Sequence, residues 1–208
     1  MSVSFVVSAE QFDRIFPERN PFYTYEGLVE ATSKYPEFAR SGGDEIARRE
    51  AAAFLANVSH ETLQLKHVTE INTSLYHHYC DPSQPYGCPA GQSAYYGRGP
   101  IQLSWNFNYK AAGDALGFDL LNHPELVEQD PMIAWATGLW YWNTQVGPGT
   151  YTCHDAIVGD QGFRETIRTI NGPLECEGGN PRQVASRIRL FTEYAEILGT
   201  TTGDRLSC

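Results

Sequence analysis

The stretch from Ile71 to Ser104 narrows most sharply what this chain can become. It is rich in Tyr, Pro, Gly and Cys and shows no helical period, so it predicts loop with a small hairpin. The punctuation elsewhere is mostly helical. Ser8-Ala9-Glu10-Gln11 has the form of a capping box opening a short helix to Phe16, and Asp44 predicts the cap of a long one that runs through Ala51-Ala52-Ala53 to about Ser59. Asp130-Pro131 opens a helix ending near Asn143, and Asn180-Pro181 opens another that runs to Leu198 with Gly199 as its stop. The fold class this predicts is α+β, predominantly α-helical. There is no repeat, low-complexity tract or interdomain linker, and 208 residues suit one domain, 1–208.

Composition matters for what it excludes. With 41% hydrophobic and 19% charged residues the chain is globular rather than disordered. Ile133 to Trp142, the longest apolar stretch, is broken by Thr137 and Gly138 and falls short of the roughly 18 residues a membrane span needs. Neither nucleic acid nor a membrane is expected as a partner, because the net charge is −10 and no Lys/Arg-rich stripe exists. Met1-Ser2-Val3-Ser4-Phe5 has neither a basic nor a long apolar leader region, so a secreted protein would be present here in mature form. Cys80 and Cys88 enclose Pro82, Pro85 and Gly87, a spacing that reads as a local disulfide rather than a zinc clamp; five free thiols in a reducing compartment is the other reading.

Familiar site motifs fail on spacing. His60-Glu61 begins an H-E-x-x-H zinc motif, but its second histidine would fall at Gln64. Gly97-Arg98-Gly99 lacks the third glycine of a dinucleotide loop, and no phosphate-binding G-K-[ST] occurs. His77-His78 near Cys80 read as surface histidines rather than metal ligands. No metal or cofactor is expected.

Glu61 and Glu70 remain. On one unbroken helix nine residues turn a side chain by about 180° and carry it roughly 13.5 Å, so the two carboxylates could share a site only if a turn intervened. Thr69-Glu70-Ile71-Asn72-Thr73, with its β-branched and turn residues, permits one. Glycoside hydrolysis asks for such a pair: a protonated carboxyl that donates to the leaving oxygen and an ionised one that activates water.

The blocks Ser59-His60-Glu61-Thr62, Tyr79-Cys80-Asp81, Tyr95 to Ser104, Asn106-Phe107-Asn108-Tyr109, Ile170-Asn171-Gly172 and Leu174-Glu175-Cys176 occur in one order along the chain. Together they resemble the family 19 chitinases of the glycoside hydrolases, most closely the short bacterial, Streptomyces-like catalytic domains. The resemblance implies a lysozyme-like, two-lobed fold with a substrate cleft, endo-acting hydrolysis of chitin or chitooligosaccharides with inversion, no cofactor, and a secreted monomer. It implies Glu61 as general acid, Glu70 as general base and Ser104 as the hydroxyl holding the attacking water. Gln102, Asn108 and Asn171 would hydrogen-bond the sugar, His60 and Tyr96 would line the same region, and Glu175 with Arg187 would steady the base. It further implies disulfides Cys80–Cys88 and Cys176–Cys208, with Cys153 free. A peptidoglycan-cleaving lysozyme and a non-catalytic chitin-binding protein are the alternatives. One departure stands beside the acid: Leu63-Gln64 replaces the family's usual Gly-Gly. The cleft loops of the plant members and a chitin-binding module also have no counterpart, which implies a shorter cleft.

Overall fold

The computed structural model describes residues 5–208, so Met1 to Ser4, and with them most of the leader reading, lie outside the described residues. The elements in order are α1 (Ala9–Ile15), α2 (Tyr25–Thr32), α3 (Asp44–Thr62), a 3-10 helix (Thr73–Tyr79), α4 (Asn106–Leu116), α5 (Leu126–Gln129), α6 (Pro131–Thr144), α7 (Cys153–Val158), α8 (Phe163–Glu175) and α9 (Pro181–Leu198). The chain divides into two compact units. The first comprises the described part of Met1–Pro17 with Tyr35–His60 and Trp142–Cys208; the second is Glu18–Lys34 with Glu61–Tyr141.

Local signals fix several helix ends. The Ser8 hydroxyl accepts from Gln11 N while the Gln11 side chain accepts from Ser8 N, the reciprocal box expected for α1. Asp130 Oδ1 accepts from the N–H groups of Met132 and Ile133 at the start of α6. In α9, Pro181 is the first helical residue, the Asn180 side chain before it accepts from Gln183 N, and Gly199 closes the helix at φ +67°, a left-handed turn that glycine makes without a Cβ clash. Asp44 differs from expectation. It is the first residue of α3, paired with Arg48 at 2.7 Å, and the entry turn before it is made by Gly42 and Gly43 at φ +77° and +85°. The helix also runs to Thr62 rather than stopping near Ser59.

In the first unit α7 packs on α8, α8 on α9 and α1 on α9. Every residue of α3 from Glu50 to Ser59 is buried, as in a helix through the middle of a core. Its polar members are therefore all partnered. Glu50, fully buried, accepts from Ala39 N (2.9 Å) and Trp142 Nε1 (2.9 Å) and pairs with His154 Nδ1 (2.7 Å). Asn57 donates to Ala53 O and Thr166 Oγ1, and Ser59 shares a 2.8 Å hydrogen bond with the Tyr194 hydroxyl. Phe5, Phe38, Phe54 and Trp142 form a chain of ring contacts beside this helix. Cys176–Cys208 ties the end of α8 to the C-terminus.

The second unit is built on α2, α4, α5 and most of α6. Trp135, fully buried, meets Tyr23 edge to face and donates its Nε1 to Thr24 O at 3.2 Å. The predicted hairpin is not formed: among the described residues the segment carries only the isolated antiparallel bridges Thr69–Arg98 and Arg98–Leu103, together with the 3-10 helix. Its prolines lack the N–H a ladder needs, so side chains supply the framework instead. Asn106, fully buried, accepts from Asp81 N (3.0 Å) and donates to Asp81 O (2.9 Å) and Gly87 O (2.8 Å). Cys80–Cys88 closes the loop it grips. Arg98, only 3% exposed, donates to Ala94 O, the Tyr109 hydroxyl and Glu128.

Candidate active site

Glu61 sits in the last turn of α3, and Thr62 ends that helix. The intervening turn that the spacing required is made by Leu63, Gln64 and Leu65, at φ +51°, +63° and +59°. These left-handed values suit glycine and cost a residue with a Cβ roughly 1–2 kcal/mol each, so the surroundings must hold them. Thr62 does so: its Oγ1 accepts from Leu65 N at 2.8 Å and its carbonyl from Lys66 N and His67 N. Leu65 is fully buried, with its carbonyl accepting from Asn20 N at 2.9 Å, while Leu63 is 58% exposed.

Beyond the turn, Val68 to Glu70 runs antiparallel to Gly97 to Gly99. Glu70 N donates to Gly97 O and Gly99 N to Val68 O, both at 2.8 Å, and Arg98 pairs in turn with Leu103. Both oxygens of the Glu70 carboxyl accept hydrogen bonds: Oε1 from the Tyr79 hydroxyl at 2.9 Å, Oε2 from Gly97 N at a longer 3.4 Å. Burial, with the bond to Glu70 and its charge, pushes the Tyr79 phenol up to about 12, so that side chain is a donor throughout the neutral range. A Cβ at Gly97 would lie 2.9 Å from Gln102 Oε1, so a side chain here would push the end of Gln102 aside.

Ser104 follows Leu103 and gives its hydroxyl proton to Gln102 O at 2.9 Å, which leaves its oxygen free to accept. Asn108, in the first turn of α4, donates to Ser104 O at 3.0 Å. Gln102 spends its amide donor on Gly99 O (3.0 Å) and Val68 O (3.4 Å), bracing the loop. Tyr96 lies between the Tyr76 ring, stacked at 3.7 Å, and the Arg98 guanidinium, also 3.7 Å from its centroid. Two groups so close must occupy opposite faces, so a sugar could meet only the edge of Tyr96, whose hydroxyl reaches Glu128 at 3.2 Å. The His77 and His78 rings lie 4.1 Å apart, tilted by 34°, and Cys80 is in a disulfide.

The other residues of the expected site belong to the first unit. His60 Nδ1 lies 3.3 Å from Ser186 Oγ. Asn171, at non-helical φ −148° within α8, donates to Glu175 Oε1 at 2.8 Å. Glu175 forms a two-pronged pair with Arg187 (2.8 and 2.7 Å), and Arg187 also donates to Asn57 Oδ1 at 3.0 Å. Burial raises the Glu175 carboxyl, but the hydrogen bonds and charge of Arg187 outweigh it and hold the group below its ordinary value. Tyr79 and Asn106 lie in the quoted blocks, but spacing gives no sign of what they hold: Tyr79 meets Glu70 nine residues back, and Asn106 meets Asp81 25 residues back.

A carboxyl at a helix end, and a second one across a left-handed turn on a hydrogen-bonded ladder, define a candidate acid/base hydrolase. The model of the chitinase class I family, glycoside hydrolase family 19, matches residues 6–208. Chitinase C from Streptomyces griseus is 68% identical, and its crystal structure superimposes with a TM-score of 0.98, covering 99% of this chain and 81% of that one. A bacterial family 19 chitinase is 65% identical with a TM-score of 0.97, covering 98% of this chain and 100% of that one. Endochitinase EP3 of Arabidopsis thaliana is 44% identical over 100% of this chain and 75% of that protein. The chain belongs to family 19 of the glycoside hydrolases and shares its lysozyme-like fold.

Proposed function

We propose that this protein is an endochitinase, a single catalytic domain that hydrolyses β-1,4-N-acetylglucosaminide linkages in chitin and chitooligosaccharides with inversion. The family membership supports this substrate class and does not favour a peptidoglycan-cleaving or non-catalytic alternative. The observation that carries the mechanism is the doubly hydrogen-bonded carboxyl of Glu70, reached from Glu61 through the left-handed turn. Glu61, as the acid, gives its proton to the glycosidic oxygen as the bond to the anomeric carbon breaks. Glu70, ionised, takes a proton from water while the water oxygen attacks the opposite face. The Ser104 oxygen, its own proton committed to Gln102, accepts the second hydrogen of that water. Asn108 and Asn171 offer amide donors and Gln102 its side-chain carbonyl oxygen to the sugar, with His60 and the edge of Tyr96 beside them, and the Glu175–Arg187 pair stiffens the frame. Two disulfides support a secreted protein, and a monomer suffices for this chemistry.

Stereochemistry tests the mechanism. The first product from N-acetylglucosamine oligomers should be the α-anomer, seen by rapid NMR before mutarotation; β-anomer at early times refutes Glu70 as base. Glu61→Gln should lower kcat at least about 100-fold, the scale of general acid catalysis, while oligosaccharide binding persists. Near-normal turnover would remove Glu61 from its role.

A further inference from the structure

Tyr79 lies in one of the blocks that carry the resemblance, yet the acid/base scheme gives it no task. Its surroundings single it out. The hydroxyl donates to Glu70 Oε1 at 2.9 Å, and its ring stands edge to face on Trp105, centroids 5.7 Å apart at 89°. Its backbone is equally confined. Cys80, the next residue, is bridged to Cys88, and Asp81 is gripped on both its N–H and its carbonyl by the buried Asn106 side chain. Trp105 itself is held at φ +76°, with its N–H on Tyr95 O at 3.0 Å. Four otherwise separate features, a disulfide, a buried asparagine, a left-handed tryptophan and an aromatic edge contact, thus converge on the placement of one hydroxyl.

We propose that Tyr79 is the positioning residue of the general base: its hydroxyl aims the Glu70 carboxyl, and the Cys80–Cys88 disulfide, Asn106 and Trp105 hold that hydroxyl in place. This rests on the reading of Glu70 as the base. The chemistry runs in one direction. A phenol keeps its proton beside a carboxylate, so Tyr79 donates to the group that takes the proton from water. The other bond to the carboxyl, from Gly97 N at 3.4 Å, is long, so Tyr79 supplies the tighter restraint. Of the neighbouring titratable groups, His77 and His78 share the 3-10 helix and lie ring against ring. Tyr76 donates to the Glu70 carbonyl at 3.0 Å, Tyr96 reaches Glu128, and Arg98 is paired with Glu128 at 2.7 Å.

The test is kcat and KM on chitin hexamer for the whole protein and for Tyr79→Phe, which keeps the ring on Trp105 and removes only the donor. A hydrogen bond to a charged group is of a size that makes kcat fall roughly 10- to 100-fold with little change in KM. An unchanged kcat, or a loss carried by KM alone, overturns the proposal, because a donor that aims the base acts on the chemical step and not on substrate binding. Should the phenylalanine variant not fold, 3-fluorotyrosine at position 79 replaces it: with the ring kept and the donor strength altered, kcat should change while KM holds, and an unchanged kcat overturns the proposal. Glu70→Gln is measured alongside. Near wild-type turnover by that variant would sink the base assignment itself, an outcome separate from any behaviour of Tyr79.

Discussion

Leu63 and Gln64 are held in a backbone conformation that glycine adopts without cost, immediately after the acid. The side chain of Leu63 is 58% exposed, so little packing is lost on removing it. Leu63→Gly should therefore raise the unfolding free energy by about 1 kcal/mol, the left-handed penalty less the extra freedom glycine brings to the unfolded chain. Urea unfolding at equilibrium measures this, and a drop in the midpoint would show that the turn is not strained. A different residue-scale effect comes from His154. The hydrogen bond to buried Glu50 raises its basicity above the ordinary histidine value, against the opposing effect of burial, with Glu50, Asp155 and Glu37 adding favourable charge. A histidine raised in the folded state contributes stability that is complete below its unfolded value, near 6.5, and is lost as pH rises through the folded value. Thermal melts should accordingly show wild type losing stability from about pH 6.5 upward relative to His154→Gln; parallel curves would argue that the pair is electrostatically silent.

At the scale of elements, α8 and α9 are joined through charge rather than through apolar contact alone. Both side chains of the Glu175–Arg187 pair are essentially inaccessible, at 0% and 1%. Removing one partner strands a buried charge. Arg187→Ala should cost about 3–5 kcal/mol, whereas replacing both partners with apolar residues of similar volume should cost much less. Chemical denaturation of the single and double variants separates the two cases, and equal losses would contradict the account. Asn171 shares this network, so an amide expected to face substrate is also the hinge where α8 departs from helical geometry, two residues before Pro173.

For the whole molecule, cross-linking sets the redox requirement. Unfolded, unreduced protein should expose one reactive thiol, Cys153, which is buried in the fold; five thiols would place the protein in a reducing compartment. Cys176–Cys208 spans 32 residues and encloses α9, so opening it removes roughly 3–4 kcal/mol of loop-closure stabilisation. The second unit depends on its own bridge differently, because Cys80–Cys88 lies in a segment with no strand among the described residues and stiffens a loop, not a core.

What the amino-acid sequence determined by itself follows from local chemistry. The Ser8 box, the Pro-started α6 and α9, the Gly199 stop and the need for a turn between Glu61 and Glu70 all depend on neighbours within a few residues, and they stand in the structure as read. Where the signal was not local, the reading fell short. The start of α4 carries no side-chain cap, α8 is interrupted at Asn171, and the expected hairpin gave way to two isolated bridges. Tertiary structure alone decided that Glu70 is held by Gly97, 27 residues on, that Asn106 grips Asp81, 25 residues back, and that Glu50 gathers Ala39, Trp142 and His154. Such contacts form only when the core excludes water and a buried polar group must find whichever partner the packing brings to it.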